Sequence, residues 1–191
     1  MDLYLKYFPE GEHIGFEPIP AMNQELIAKY SESNVKIYKF ALSDYEGEST
    51  FNFVKDAPAY SGLKQRDYKT STDADSIQKL TVEVKTLDSI VEQYQKPFGF
   101  VKIDVEGAEF SVLKGAEKLL RDQKPVIIFE FGLGASNYYN TVPEELYDYL
   151  AQFGYAVSVL TDYKKEDKKL SKKQFNDIYK ENKEYYFIAI P

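Results

Sequence analysis

Six side chains able to bind a ligand or move a proton recur at equivalent places in this 191-residue sequence. Each lies at or just after the end of a short apolar run. Glu17 closes HIGFE, and Ser43 and Asp44 follow NVKIYKFAL. Asp104 and Glu106 stand at the end of FGFVKI, and Glu130 lies within PVIIFEF, just before Gly132-Leu133-Gly134. Runs of this kind read as strands, and in open parallel sheets ligands bind beyond the carboxyl ends of the strands. If the strands point one way, one rim carries a row of carboxylates. That rim suits a ligand with hydroxyls and a positive charge, because a carboxylate offers two acceptor oxygens and a negative charge.

Each residue also has a plainer role open to it. Glu17 precedes Pro18 and Pro20, where a solvated turn would end the strand. Ser43-Asp44 with Gly47 is an ordinary turn signature. Glu106 and Glu109 fall in the first turn of a helix expected over 106–121, where acids complement the helix dipole. Asp104 is harder to set aside. It interrupts a buried apolar strand, where an unpaired charge is costly.

Other chemistries find little support. The chain has one histidine, His13, and no cysteine. That excludes thiolate metal sites, disulfides and a cysteine nucleophile, and it leaves a Ser-His-Asp triad a single base. Asp104, Glu106 and Glu130 could serve a hard cation, but the expectation is that no metal is used.

The elements that position these residues follow from periodicity. Strands are expected at His13–Glu17, Asn34–Leu42, Ser49–Val54, Leu80–Lys85, Phe98–Val105, Pro125–Phe131, Tyr155–Leu160 and Tyr185–Ile190. Helices are expected at Leu3–Phe8, at Asn23–Tyr30 with Leu26 and Ile27 inward, and from Thr86, as N-cap, to Tyr94. Three more follow at Glu106–Arg121, at Pro143–Phe153 with Pro143 in its first turn, and at Ser171–Lys180. Strands alternating with helices imply an α/β sandwich around a largely parallel sheet, in one domain of residues 1–191. A hairpin and loop excursion spans about 47–85. Its polar part, Asp56–Ser76, is long enough to shape a pocket.

Composition narrows the partners. A net charge of −7 makes a poor binder of phosphate backbones, so no nucleic acid is expected. The basic cluster Lys164–Lys173 is mixed with acids and reads as a solvated face. No apolar run reaches membrane-spanning length, and the N-terminus lacks a signal-peptide layout, which together predict a cytoplasmic protein away from membranes.

Several of these segments, in order, resemble the FkbM-like family of S-adenosylmethionine-dependent methyltransferases. They are Gly15-Phe16-Glu17-Pro18-x-Pro20, Ala41-Leu42-Ser43-Asp44-x-x-Gly47, Thr86-Leu87-Asp88, Val101–Glu109 followed by Val112–Ala116, and Lys124-Pro125 with Glu130. The resemblance implies a Rossmann-like class I methyltransferase sandwich, with a mostly parallel sheet and an antiparallel last strand. It implies S-adenosylmethionine as methyl donor and a hydroxyl of a small molecule or sugar as acceptor. Glu17 would hold the ribose hydroxyls, with Ser43 and Asp44 near the adenine. Asp104, Glu106 and Gly107 would lie beside the methyl-transfer centre, Asp104 or Glu106 as base, and Glu130 toward the substrate. Family members begin with a strand and an Asp-x-Gly-Ala-Asn-x-Gly turn, whereas Leu3–Phe8 aligns with the helix after it. The expectation is therefore a sheet whose first, central strand is missing, in a truncated enzyme with impaired cofactor binding. A homo-oligomer lending a strand is one way to fill the gap. The alternative reading is a non-catalytic methyltransferase-fold remnant that acts as a binding module.

Overall fold

The computed structural model of the chain describes residues 1–66, 76–163 and 168–191. Residues 67–75 of the anticipated excursion and 164–167 of the basic cluster lie outside the described residues. The chain begins with α1 (Asp2–Tyr7), β1 (His13–Phe16), α2 (Pro20–Lys29), β2 (Val35–Tyr38) and β3 (Ala41–Leu42). The hairpin strands β4 (Gly47–Val54) and β5 (Ile77–Lys85) follow, then α3 (Leu87–Val91), β6 (Phe100–Ile103), α4 (Glu109–Lys114) and α5 (Glu117–Asp122). The last elements are β7 (Val126–Glu130), α6 (Pro143–Gln152), β8 (Ala156–Val159), α7 (Lys172–Glu181) and β9 (Tyr186–Ile190).

Instead of one sheet, the described strands form three. β1 pairs in parallel with β2. β5 lies between β3, its parallel neighbour, and β4, its antiparallel one. The third sheet has the order β6-β7-β9-β8, with β6 parallel to β7 and the last strand β9 antiparallel to both its neighbours. β1 and β6 each carry a ladder on one side only among the described residues. Helix α1 joins α2, which follows β1, to β6. Asp2 pairs with Lys29 at 2.7 Å and accepts from the Tyr30 hydroxyl at 2.6 Å, while the Tyr4 ring lies 5.2 Å from that of Phe100. No residue of α1 is buried.

The main core lies over the third sheet. Leu113, Leu119, Leu120, Leu146, Leu150 and Phe175 from four helices meet Ile127, Phe129 and Phe187 of the strands. Phe175 stacks with Phe131 at 5.6 Å and meets Phe187 edge-on at 4.9 Å. Burying one such side chain contributes about 1.5–3 kcal/mol. Phe16 and Tyr38 pack against the same core and join the β1–β2 pair to it, with the Tyr38 and Tyr94 hydroxyls 2.9 Å apart.

Three local expectations are corrected. The strand expected at Asn34–Leu42 is two strands, β2 and β3, in different sheets. Alternation of period two continues through the bend and carries no signal of a change in partner. The helix α2 begins earlier than expected, with Pro20 at its first turn, and it leaves Ile27 exposed while Asn23 is buried. The helix expected at Glu106–Arg121 is broken into α4 and α5. Its break is stabilised from outside: the Gly115 carbonyl accepts from the Asp88 amide at 2.9 Å. The Asp88 carboxylate in turn accepts from the Lys118 and Leu119 amides at 2.9 Å each, capping α5 from another helix. The Thr86 cap is as expected, its hydroxyl accepting from Ser89 N at 3.2 Å.

Candidate active site

Because β6 and β7 run parallel, with Ile103 beside Phe129, their carboxyl ends lie together. Asp104 and Glu130 are therefore neighbours, close enough for each charge to act on the other. Glu130 also sits opposite Tyr186 of β9. Lys102 pairs with Asp104 at 2.5 Å.

After Asp104 the chain turns instead of entering a helix. Glu106 has φ 57° and Gly107 φ 105°, both in the left-handed half of the map. For Glu106 that conformation costs energy, and such outliers gather at functional sites. Gly107 is required twice over. A Cβ there would stand 2.5 Å from the carbonyl of Ala135, in the loop that follows β7. The turn is clamped by Glu109, which is 1% exposed. Its Oε1 accepts from the amides of Val105 and Gly107 at 3.1 Å each. The two acids of the motif thus differ in role: Glu109 shapes the turn and Glu106 projects from it.

The loop after β7 forms the other wall. Gly134 has φ 98°, and its amide donates to Asn137 Oδ1 at 2.7 Å. The short 3-10 turn Ser136–Tyr139 follows, and the Ser136 hydroxyl, wholly buried, donates to Gly132 O at 2.8 Å. A third wall comes from the excursion. The Lys64 amide donates to the Tyr139 hydroxyl at 3.0 Å, and Arg66 Nη2 meets Glu106 Oε2 at 2.6 Å.

Burial and charge give these groups unequal affinities for protons. Burial pushes Glu109 up to about 7, against the pull of its backbone donors. Glu130 also rises to about 7, through burial and then the charges of Asp104 and Glu106. Burial raises Glu106 as well, with Arg66 opposing. Tyr139 rises to about 12, mainly through burial.

Among the described residues, no group of three or more His, Asp or Glu is arranged to hold a metal ion. The cluster contains Asp104, Glu106, Gly107 and Glu130. The other anticipated residues lie in separate places. Glu17 Oε1 accepts from Ile19 N at 2.8 Å, and burial raises its carboxyl above the usual range. Buried Ser43 donates to Asp44 Oδ1 at 3.2 Å, and Lys114 pairs with Asp44 at 3.0 Å. Burial pulls the Asp44 carboxyl up, but Lys114 outweighs it and holds the group low. Among the described residues, no hydrogen bond or ion pair joins Glu17, or the Ser43-Asp44 turn, to Asp104, Glu106 and Glu130.

Arg66 and Tyr139 escaped sequence reasoning. One signal existed: the sequence has two arginines against 22 lysines, and one of them sits in the polar excursion.

Helix-covered strands, with carboxylates gathered at the ends of adjacent parallel strands, make this an α/β fold. A crystal structure of methyltransferase FkbM from Methylobacillus flagellatus KT shares the fold, with a TM-score of 0.52 and 14% identity over 97% of this chain and 38% of that one. The chain belongs to the methyltransferase FkbM domain family, whose profile matches residues 1–157. Methyltransferase sdnD of Sordaria araneosa is 27% identical, with 61% of this chain and 56% of that protein covered. The chain thus spans little more than half the length of this relative. No helix among the described residues is long and apolar enough to cross a membrane.

Proposed function

We propose that this chain is an S-adenosylmethionine-dependent O-methyltransferase acting on a hydroxyl of a small molecule or sugar. The observation that carries the reading is the carboxylate cluster of Asp104, Glu106 and Glu130 at the ends of adjacent parallel strands, in a chain of a methyltransferase family. The donor set suits the cofactor. Glu17 has one oxygen committed to Ile19 and a second left to accept from a diol. Ser43, Asp44, Asp104 and Gly107 complete the residues assigned to it. S-adenosylmethionine, when bound, supplies an electrophilic methyl group.

The chain's own residues have two tasks. The first is to hold the acceptor hydroxyl in line, which well-oriented groups do with large effect. Glu130, its hold on a proton raised by burial and by the neighbouring acids, is suited to hydrogen-bond a substrate oxygen as donor or acceptor. The second is to take the hydroxyl proton. Asp104 or Glu106 receives it on a carboxylate oxygen and later releases it to water, a role worth about 10²–10⁴-fold in rate.

Calorimetry with S-adenosylhomocysteine, paired with transfer of labelled methyl from S-adenosylmethionine to a panel of sugars and small alcohols, tests the reading. Weak binding is expected, reduced further by Glu17→Ala, together with transfer lowered about 10²–10⁴-fold by Asp104→Asn or Glu106→Gln. A chain that neither binds the thioether nor transfers methyl would refute it.

A further inference from the structure

The Arg66 side chain is 6% exposed, deeper than any other ion-paired cation among the described residues. Its contacts are few and directed. Nη2 meets Glu106 Oε2 at 2.6 Å and the Tyr60 carbonyl at 3.3 Å. Nη1 meets the Gly134 carbonyl at 3.4 Å, and the guanidinium lies 5.5 Å from the Tyr60 ring centroid. Among the described residues, the charge is thus balanced by one carboxylate, that of Glu106. A buried guanidinium demands such a partner.

The segment carrying Arg66 is docked by its own contacts as well. Gly62 and Asn52 exchange backbone hydrogen bonds at 2.8 and 3.2 Å. The Ser61 hydroxyl accepts from Val54 N at 3.0 Å. Lys64 donates through its amide to the Tyr139 hydroxyl and through Nζ to the Tyr138 carbonyl at 3.2 Å. A Cβ at Gly62 would come within 3.8 Å of Glu106 Cβ. Arg66 therefore reaches Glu106 from a platform already fastened to both neighbouring loops.

Glu106 is held from the opposite side too. Its backbone is fixed at φ 57° by Glu109, which grips the amides on either side of it. Backbone and carboxylate are separately constrained. Such double constraint is typical of a group that must meet a reacting atom.

We infer that Arg66 is a positioning residue that holds the Glu106 carboxylate as an anion at the end of β6. The inference rests on the methyltransferase reading for its catalytic consequence alone. Among the described residues, the charged groups facing Glu106 are Arg66 from the excursion, Asp104 at the end of β6 and Glu130 at the end of β7. Two of the three are acidic, so Arg66 is the one that favours the anion. The acceptor's proton moves from its hydroxyl to a Glu106 oxygen, and the Arg66 contact loosens as that carboxylate becomes neutral.

The test is carbon-13 NMR of the glutamate side-chain carboxyls, titrated against pH, in the full chain. Glu106→Gln identifies the Glu106 signal. In Arg66→Met the Glu106 midpoint should move up by about one to three pH units, the usual influence of an adjacent opposite charge. Arg66→Lys should restore part of the difference, since it returns the charge without the fork. Unfolding of Arg66→Met would leave Arg66→Lys and Arg66→Gln to supply the comparison, with the midpoints ordered wild type, Lys, Gln from low to high. A Glu106 midpoint unchanged in folded Arg66 variants would overturn the inference. S-adenosylhomocysteine is titrated into the same samples. Its failure to bind the wild-type chain would count against the methyltransferase reading and leave the Arg66–Glu106 result standing.

Discussion

Glu109→Gln isolates the energetic role of the buried carboxyl beneath the turn. In the unfolded chain Glu109 ionises near its usual 4.5, whereas in the folded chain burial delays ionisation to about 7. Folding therefore favours the neutral form, and the stability associated with it is fully present below about pH 4.5. It is lost as pH rises toward 7 and beyond, where the folded state must hold a buried anion. The interval corresponds to roughly 3 kcal/mol, at 1.36 kcal/mol per pH unit. Glutamine keeps a carbonyl oxygen for the Val105 and Gly107 amides, so the turn retains its acceptor. It has no proton to lose. Whatever fixed cost the amide brings is the same at every pH. Urea denaturation of both proteins from about pH 5 to 8 reads the difference between them. Relative to wild type, the variant should gain about 2–3 kcal/mol across that range. Glu106 and Glu130 contribute the same sign of pH dependence to both proteins and cancel in the difference. Two parallel curves would refute the reasoning and mean that Glu109 ionises alike in both states.

Gly107→Ala combines a left-handed backbone with a contact of 2.5 Å to Ala135, so a loss of about 2–5 kcal/mol in urea denaturation is expected. Asp88→Ala removes the acceptor of two amides at the start of α5 and should lower stability by about 1–2 kcal/mol, seen as a drop in Tm. Asp88→Asn, which still offers a carbonyl oxygen, should recover part of that loss.

Most strands and helices were legible because their signals are local. Pro143 at a helix start, Thr86 as a cap and the apolar runs of β6 and β7 need nothing from distant residues. The misread places depend on contacts that join remote parts of the chain. Leu113, Ala116 and Leu120 keep helical spacing straight through the break at Gly115. The break is set by Asp88 and by the Ser43 carbonyl, which a Cβ at Gly115 would approach to 2.1 Å. Glu109 looked like a dipole-complementing surface acid because its sequence position cannot reveal that the Val105 and Gly107 amides fold back onto it. Asp104, Glu106 and Glu130 were found by a topological rule, since parallel neighbours bring their ends together whatever the loops do. Arg66 had no such rule, because where a long polar segment docks is decided by tertiary contacts alone.

The one-sided ladders of β1 and β6 bear on how ligand binding and internal order are related. Glu17 follows β1, and Asp104 follows β6, on the two sides of a boundary that the described residues cross by side chains and α1, with no backbone ladder. Side-chain packing fixes relative orientation less tightly than a row of backbone hydrogen bonds. On the proposed reading, a ligand held by both carboxylates would bridge that boundary itself. Its affinity would then include the free energy of aligning the two sheets, and alignment and occupancy would form one linked equilibrium. On that reading, whatever stiffens the seam tightens the ligand, and the ligand in return stiffens the seam.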